Sequence, residues 1–460
     1  LPHVRLSEYD AGHGPELVNR FFDVLTIQKA APKLLIDALG MVLGVLVGLT
    51  VLAFYHPLLL AFDILLLAVI VVIVLGPLRR GERSAIDESA AKYAVAAWLE
   101  EVARSPYTFR TGGSQQWIFE RADALTRRWV ETRGAHFRTL FGQVLSALAL
   151  QVVASTALLG IGGWLVMKDS LTIGQLVAAE LIVTAVVASV AKLGKHLETW
   201  YDLMAAVQKV GQLLDVSVEP TAGEATAQRP AEGSAIEFAN VSWRGTRGHA
   251  LFSGVTLDVR PGERIGITGP TGSGKSALID LLWRMRDPAT GAIRLDGRDL
   301  RDLSADALRT EVAVVSPIEV VSGTVRENVR LQRASVQSDD VRDAIASVGL
   351  EDAVGELPDG LDTVLHPHGR TLSEGELRRL VLARAIAGAP SVLAVDALFD
   401  RSPPEARQVI FDALFDGTRP WTLLVVSNLP EVLERCDHVL RIEPGAPAEQ
   451  EPLVRAREDA

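Results

Sequence analysis

The sequence predicts two unlike domains: an all-α transmembrane helical domain followed by an α/β domain. The first half contains four long apolar spans. The second half alternates short apolar runs, typical of buried strands, with helical patterns, which favours a largely parallel sheet. Hydrophobic residues make up 48% of the 460 residues, and the mean hydropathy of +0.22 is high for a soluble protein.

The four apolar spans each approach or exceed the ~20 residues that a bilayer-spanning helix needs. They are Leu34–Tyr55, Leu58–Leu75, Leu140–Met167 and Leu171–Leu193. Buried helices of a soluble protein are the alternative, but four stretches with so few charges are hard to bury otherwise.

The distribution of basic residues predicts the orientation in the membrane. Arg79–Arg138 carries eleven Lys and Arg residues, His56-Pro57 carries none and Lys168–Ser170 carries one. Because cationic loops stay in the cytoplasm, we expect the long segment inside and the two short connections outside. Helical patterns over Ala85–Val102 and Gln115–Phe141 predict that the spans continue as long cytoplasmic helices.

Two carboxylates, Asp63 and Glu180, lie well inside the spans. Carboxylates in a membrane are costly and mark a cavity or a partner, so both are candidates for a substrate path. A position near a helix end or beside a polar neighbour is the alternative.

Composition limits the class of protein further. The net charge of −11 argues against nucleic acid as a partner. The single cysteine, Cys436, excludes an internal disulfide framework and fits a reducing compartment. Leu1–Ala30 is polar and charged rather than a cleavable signal, and a chain that starts at Leu1 is expected to be N-terminally incomplete.

The predicted boundaries are a transmembrane domain over 1–215, a linker over 216–233, the α/β domain over 234–445 and a disordered tail over 446–460. The linker is rich in Pro, Gly, Ala, Glu and Thr and lacks apolar periodicity. The tail is charged.

The most specific motif is a glycine-rich loop between an apolar run, Arg264–Thr268, and a helical pattern that starts at Ala277. Its residues are Gly269, Pro270, Thr271, Gly272, Ser273, Gly274, Lys275 and Ser276. The pattern G-x-x-x-x-G-K-S in this setting predicts a phosphate-binding P-loop. Backbone N–H groups and the helix N-terminus attract the anion. Lys275 would reach the β and γ phosphates, and the Ser276 hydroxyl would ligate Mg²⁺. We assign Gly269 to Ala277 to ATP binding.

A second motif carries a family resemblance. Leu372-Ser373-Glu374-Gly375-Glu376 resembles the L-S-G-G-Q signature of ATP-binding cassette (ABC) proteins. With the membrane spans, the linker and the P-loop, nearly the whole chain resembles one half of an ABC exporter. The resemblance implies that Ser373, Glu374, Gly375 and Glu376 contact ATP held by a partner.

The N-terminal residues extend this resemblance. Leu6–Arg20 is similar to the first cytoplasmic loop of such exporters, which follows their second span. The chain would therefore show spans three to six of a six-span exporter fold. Leu6–Arg20 and Ser105–Gly113 would be its two coupling elements.

The resemblance breaks at the catalytic positions, where no intact set is found. Asp396 occupies the Walker B position and would hold Mg²⁺ together with Ser276. The next residue, which should be the glutamate that polarises water, is Ala397. The expected histidine is Asn428, and the expected glutamine is Ser316 or Pro317, depending on the alignment. These changes predict that the site still binds phosphate but no longer activates water.

Two further positions leave alternatives open. The aromatic residue expected to stack on adenine falls on Gly245, although Trp243 could substitute. The segment Asp400–Pro403 replaces the usual S-A-L-D, and Asp400 could supply the missing base from a shifted loop.

The resemblance implies ATP and Mg²⁺ as cofactors and a multi-pass protein of the cytoplasmic membrane with its nucleotide-binding domain in the cytoplasm. We interpret the chain as the hydrolysis-impaired half of a heterodimeric exporter, favoured over a homodimer. Its partners are a second half-transporter, membrane lipid and an unknown substrate. A pseudo-ATPase membrane scaffold and an importer built on the same fold remain open.

Overall fold

The computed structural model describes residues 3–11, 14–191, 193–220, 223, 233–245, 249–316, 318–366, 371–416, 419, 421–444 and 449–452. The chain divides into two compact units. One is the membrane unit, Glu8–Val216, and the other is the nucleotide unit, Leu1–Ser7 with Ser217–Ala460.

The first seven helices are α1 (Leu6–Ala11), α2 (Gly14–Ala53), α3 (Pro57–Leu75), α4 (Leu78–Arg104), α5 (Ser114–Met167), α6 (Ile173–Ala191) and α7 (Leu193–Leu214). Three stretches are long and apolar enough to cross a membrane: Leu17–Ala53, Pro57–Arg104 and Ser114–Met167. The fourth predicted span coincides with α6, a shorter apolar helix over its described residues. The long helices α4 and α5 extend beyond the apolar spans, as their sequence patterns predict.

The turn between α4 and α5 is held by aromatic side chains. It contains a short 3₁₀ turn, Thr108–Arg110. Trp98 packs edge-on against Phe109 and Trp117, with ring centroids 5.7 Å and 5.2 Å apart. These contacts bring the end of α4 and the start of α5 together around the second predicted coupling element.

The core of the membrane unit is apolar and contains buried leucines such as Leu59 and Leu158. Asp63 lies among buried residues at 3% exposure, and neither of its carboxylate oxygens has a hydrogen-bond partner among the described residues. Glu180 accepts a hydrogen bond from Thr184 Oγ1 at 3.4 Å. The substrate-path role of both carboxylates stays a prediction.

Helices α4 and α7 approach closely at Gly81. A Cβ added to Gly81 would lie 2.1 Å from Cζ of Tyr201, whose side chain is fully buried. We expect Gly81→Ala to destabilise the membrane unit by about 1–3 kcal/mol, because a packed core resists added methyl groups. Thermal unfolding of the full-length protein in detergent measures this. The control is Gly134→Ala, since a Cβ at Gly134 meets nothing within 4 Å. An equal or higher melting temperature for Gly81→Ala would contradict the close contact.

The nucleotide unit contains twelve strands in its described residues. They are β1 (Ile236–Arg244), β2 (Ala250–Val259), β3 (Arg264–Thr268), β4 (Thr290–Leu295), β5 (Arg298–Asp299), β6 (Val312–Val315), β7 (Gly323–Thr324), β8 (Val364–Leu365), β9 (Val392–Asp396), β10 (Thr422–Val426), β11 (His438–Arg441) and β12 (Glu449–Pro452). Its helices are α8 (Lys275–Leu282), α9 (Ala305–Glu311), α10 (Val325–Arg330), α11 (Ser338–Ser347), α12 (Glu351–Gly355), α13 (Glu374–Ile386), α14 (Pro404–Phe415) and α15 (Pro430–Leu433).

The central sheet has the strand order β12-β11-β3-β10-β9-β6, and every pair except β11–β12 is parallel. A second sheet, β2-β1-β4-β5, is antiparallel. Strands β3, β10 and β9 are neighbours, so their carboxyl ends meet at one edge of the sheet. In open α/β sheets this edge is where ligands bind.

The predicted disordered tail is wrong in part. Glu449–Pro452 forms strand β12, which pairs with the outer strand β11. Backbone hydrogen bonds hold it there, so it needs no apolar pattern. The other tail residues, 446–448 and 453–460, lie outside the described residues.

The first residues of the chain pair with the start of the linker. Val4 and Val218 form an antiparallel bridge, Arg5 N donates to Ser217 O at 3.0 Å and Glu219 N donates to His3 O at 2.7 Å. This pairing places residues 3–7 in the nucleotide unit rather than in the predicted domain 1–215. It also orders residues 217–219 of the predicted linker.

Cys436 is buried in the nucleotide unit. Burial raises the pKa of its thiol to about 12. The thiol therefore stays protonated and packs as a small apolar side chain.

Candidate functional site

The glycine-rich loop connects β3 to α8, as predicted. Gly269, Gly272 and Gly274 all have positive φ, at 147°, 86° and 99°. A Cβ at Gly269 would lie 2.1 Å from Ile442 O, and one at Gly274 would lie 2.7 Å from Cδ1 of Phe252. Conformation and space therefore both require glycine at these two positions.

The loop forms one wall of a cavity of about 430 Å³. The other walls come from the ends of β9 and β10 and from β2. The cavity is lined by Leu251, Thr271, Gly272, Gly274, Lys275, Ser276, Ala277, Asp396, Ala397, Asp400, Arg401, Val426, Ser427 and Asn428. The fold thus brings together residues that the sequence separates by more than 150 positions.

The loop suits a phosphate group. Ser273 Oγ is fully buried and has no hydrogen-bond partner among the described residues. Lys275 Nζ donates to the carbonyl oxygens of Gly269 at 2.7 Å and Pro270 at 2.9 Å, so the ammonium group lies across the loop. A phosphate oxygen is a stronger acceptor than these carbonyls and would recruit the same group.

Ser276 and Asp396, whose hydroxyl and carboxylate are predicted to ligate Mg²⁺, both line this cavity. No group of three or more His, Cys, Asp and Glu side chains that could hold a metal ion occurs among the described residues. Mg²⁺ bound with a nucleotide needs no such cage, because it uses one or two protein oxygens together with phosphates and water. The residues present therefore fit Mg²⁺ bound with ATP.

Ala397 lies on the cavity directly after Asp396. Its backbone is left-handed, with φ of 53°, and its N–H donates to Val426 O at 3.1 Å. The methyl side chain cannot accept a proton, so this position offers no base to an attacking water.

Asn428 also lies on the cavity, but its side-chain oxygen is engaged. Asn428 Oδ1 accepts hydrogen bonds from Thr268 Oγ1 at 2.9 Å and from Gly269 N at 3.3 Å. The amide therefore connects the end of β3 to the segment that follows β10. This contact could not be predicted from the sequence, because no local pattern links Thr268 to a residue 160 positions away.

Asp400 is exposed and lines the cavity, and its Oδ1 accepts a hydrogen bond from Asn428 N at 3.2 Å. Asp400 as an alternative base therefore stays a prediction. Ser316 is exposed at the end of β6 and is not part of the cavity lining. Pro317 lies outside the described residues.

The signature residues lie at the start of α13, away from this cavity. Ser373 caps the helix: its Oγ accepts from Glu376 N at 3.3 Å, and Glu376 Oε2 accepts from Ser373 N at 2.6 Å. Glu374 pairs with Arg378. Gly375 leaves open space, since an added Cβ would meet nothing within 4 Å.

Arg378 connects the signature helix to the loop after β9. Its Nη1 donates to Arg401 O at 2.7 Å, and Arg401 lines the cavity. Sequence reasoning missed this contact. Of the contacts of Arg378, only the pairing with Glu374 follows a sequence pattern, which is the i,i+4 spacing of opposite charges on a helix.

Trp243 does not line the P-loop cavity. It faces a separate cavity of about 300 Å³, and the Arg286 guanidinium lies 5.4 Å from its ring centroid. The suggestion that Trp243 stacks on adenine is therefore not supported by its position. Leu251 is the apolar side chain that lines the P-loop cavity near this end of β2.

Comparison with known proteins agrees with this geometry. The family model described as ABC transporter matches residues 252–399. The mycobactin import ATP-binding/permease protein IrtB of Mycolicibacterium thermoresistibile is 32% identical over 311 residues, which cover 66% of this chain and 52% of the relative. The ATP-dependent lipid A-core flippase of Burkholderia pseudomallei is 32% identical over 310 residues, covering 66% of this chain and 50% of the relative.

A solved structure extends the comparison to the whole fold. A bacterial Atm1-family ABC exporter with ATP bound superposes with a TM-score of 0.85 at 20% identity, covering 98% of this chain and 80% of that one. The chain spans about half the length of the two curated relatives. The protein is a multi-pass inner-membrane protein with its nucleotide-binding domain in the cytoplasm. Residues 252–399 are an ABC transporter domain, fused in this chain to a helical membrane domain with the fold of an ABC exporter.

Proposed function

We propose that this chain is the hydrolysis-impaired half of a heterodimeric ABC transporter. It would bind ATP and Mg²⁺ at its P-loop and rely on a different partner chain for efficient hydrolysis. The observation that carries the proposal is Ala397, which follows Asp396 on the wall of the cavity and offers no proton acceptor.

Activation of the attacking water depends on the residue at position 397. Water must lose a proton as it attacks the γ-phosphate, and a positioned general base typically contributes roughly 10²–10⁴ in rate. Asn428 stands where the family resemblance implies a histidine, and its side-chain oxygen accepts hydrogen bonds from Thr268 and Gly269. The residues predicted to bind phosphate and Mg²⁺, which are Lys275, Ser276 and Asp396, all line the cavity.

Asp400 supports a second candidate, a chain that hydrolyses ATP by itself. Its carboxylate is exposed on the same cavity wall. It is held by the Asn428 N–H, however, and lies in the loop beyond the Walker B strand. We therefore favour the impaired site.

One relative is a mycobactin import ATP-binding/permease protein and the other is an ATP-dependent lipid A-core flippase, so the two relatives differ in cargo. The predicted coupling elements, Leu6–Arg20 and Ser105–Gly113, would transmit the state of the nucleotide to the spans.

The partner chain is the direct test. The full-length protein is purified from its native membrane, and stoichiometric subunits are identified by mass spectrometry. We expect a second ABC chain that carries glutamate after its Walker B aspartate and histidine at the position equivalent to Asn428. Recovery of a homodimer alone would leave no competent site and would contradict the proposal in favour of a nucleotide-binding scaffold.

A further inference from the structure

A cavity of about 930 Å³ lies in the membrane unit between the α3–α4 region and α5. It is lined by residues from 72–84 on one side and 135–146 on the other. The lining contains two basic residues, Arg80 and Arg138, and no Asp or Glu. The cavity is therefore positively charged.

Neither arginine has an ion-pair partner in the part of the chain that the structure describes, and both are exposed. Nearby on α5, by contrast, Arg133 Nη1 forms an ion pair with Glu88 Oε1 at 2.8 Å. Ion pairs thus form between α4 and α5, but Arg80 and Arg138 take part in none of them among the described residues. Their guanidinium donors remain available to an anion.

The uncharged polar groups of the cavity already have partners. Ser146 Oγ donates to Gly142 O at 2.7 Å. Gln143 Nε2 donates to the hydroxyl of Tyr201 at 3.1 Å. Recognition in this cavity would therefore depend on the two guanidinium groups.

The cavity also has an apolar part in a definite place. Val72 and Ile73 come from the last turn of α3, within the apolar span, and Val72 is 69% exposed. Arg80 lies just beyond that span in α4, and Arg138 lies just before the apolar part of α5. The hydrocarbon surface is thus on the membrane side and the cations are on the cytoplasmic side.

We propose that this cavity binds an anionic membrane lipid, with its phosphate headgroup between Arg80 and Arg138 and its acyl chain along Val72 and Ile73. A guanidinium can bind phosphate through two parallel N–H···O bonds. Basic pockets between membrane helices on the cytoplasmic side are suited to such headgroups. This site is independent of the assignment of ATP hydrolysis.

The test uses the full-length protein in its native assembly, reconstituted without nucleotide in phosphatidylcholine nanodiscs that contain fluorescent phosphatidylglycerol. We expect Arg80→Gln with Arg138→Gln to weaken phosphatidylglycerol binding by roughly fivefold for each arginine. The control is Arg79→Gln with Arg128→Gln, which removes the same charge from exposed residues outside the cavity and should leave binding nearly unchanged.

Three results would overturn the proposal. The first is equal binding of phosphatidylglycerol and phosphatidylcholine by the unmodified protein. The second is a loss in the control variant as large as that in the cavity variant, which would indicate general surface charge. The third is displacement of the lipid by millimolar glycerol phosphate, which would indicate a site for soluble anions. Unchanged melting temperatures of both variants exclude misfolding as the cause.

Discussion

We expect Ala397→Glu combined with Asn428→His to raise ATP hydrolysis at this site by roughly a hundredfold or more, the range that a general base provides. Ala397 lies on the cavity wall beside Asp396, so a glutamate there starts from the correct position. The left-handed φ of 53° adds strain, but alanine already carries it. A histidine at 428 retains a ring nitrogen that can accept from Thr268.

The measurement is single-turnover phosphate release from the assembled transporter, with hydrolysis by the partner blocked by substitution of its own catalytic glutamate. The matched control is Ala397→Gln with Asn428→His, which has nearly the same size and no base. No gain from the glutamate variant, with ATP still bound, would show that more than a missing base limits this site. An equal gain from the glutamine variant would exclude the general-base explanation.

We expect Lys275→Ala to weaken ATP binding by roughly 10- to 100-fold, because hydrogen bonds to charged groups contribute about 1.5–3 kcal/mol. In the structure the ammonium group bridges two loop carbonyls, so it is already positioned over the loop. Titration of the full-length protein with a fluorescent ATP analogue measures the affinity. Asp400→Asn, a change on the same cavity wall that leaves the cation in place, should not weaken binding.

Chemical labelling of lysine tests the role of Lys275 in phosphate binding without a substitution. Lys275 is the only lysine between residues 210 and 460. ATP should therefore protect one lysine of the nucleotide unit from amine-reactive labelling, while labelling of Lys92 in the membrane unit stays constant. Two results would place the phosphates elsewhere. One is that Lys275→Ala binds ATP as tightly as the unmodified protein, and the other is that ATP does not slow the labelling of Lys275.

The P-loop and its neighbours could be predicted because each has a strong local signal. A glycine-rich loop between an apolar run and a helical pattern has few other interpretations, and Asp396 follows a continuous apolar run. Parallel strands then bring these ends to one edge. The signature serine was also readable as a helix start, since S-x-x-E predicts the capping box that Ser373 and Glu376 form.

Features that depend on register or on distant contacts could not be predicted. Strand β1 changes register on both sides of Trp243, and such irregularities decide which way a side chain faces. The tail strand β12 is held by backbone pairing, which leaves no apolar signal. Arg80 and Arg138 are far apart in sequence, and only the packing of α4 against α5 places them on one cavity.

The capping box at Ser373 makes the start of α13 an anion site that the chain itself occupies. The Glu376 carboxylate accepts a hydrogen bond from the Ser373 N–H, and the Glu374 carboxylate in the same turn is paired with Arg378. A phosphate that arrives there must displace a competitor that is covalently attached and never diluted. A neutral or basic group would not compete with this carboxylate, so we expect the capping box to disfavour phosphate at the start of α13 relative to such groups.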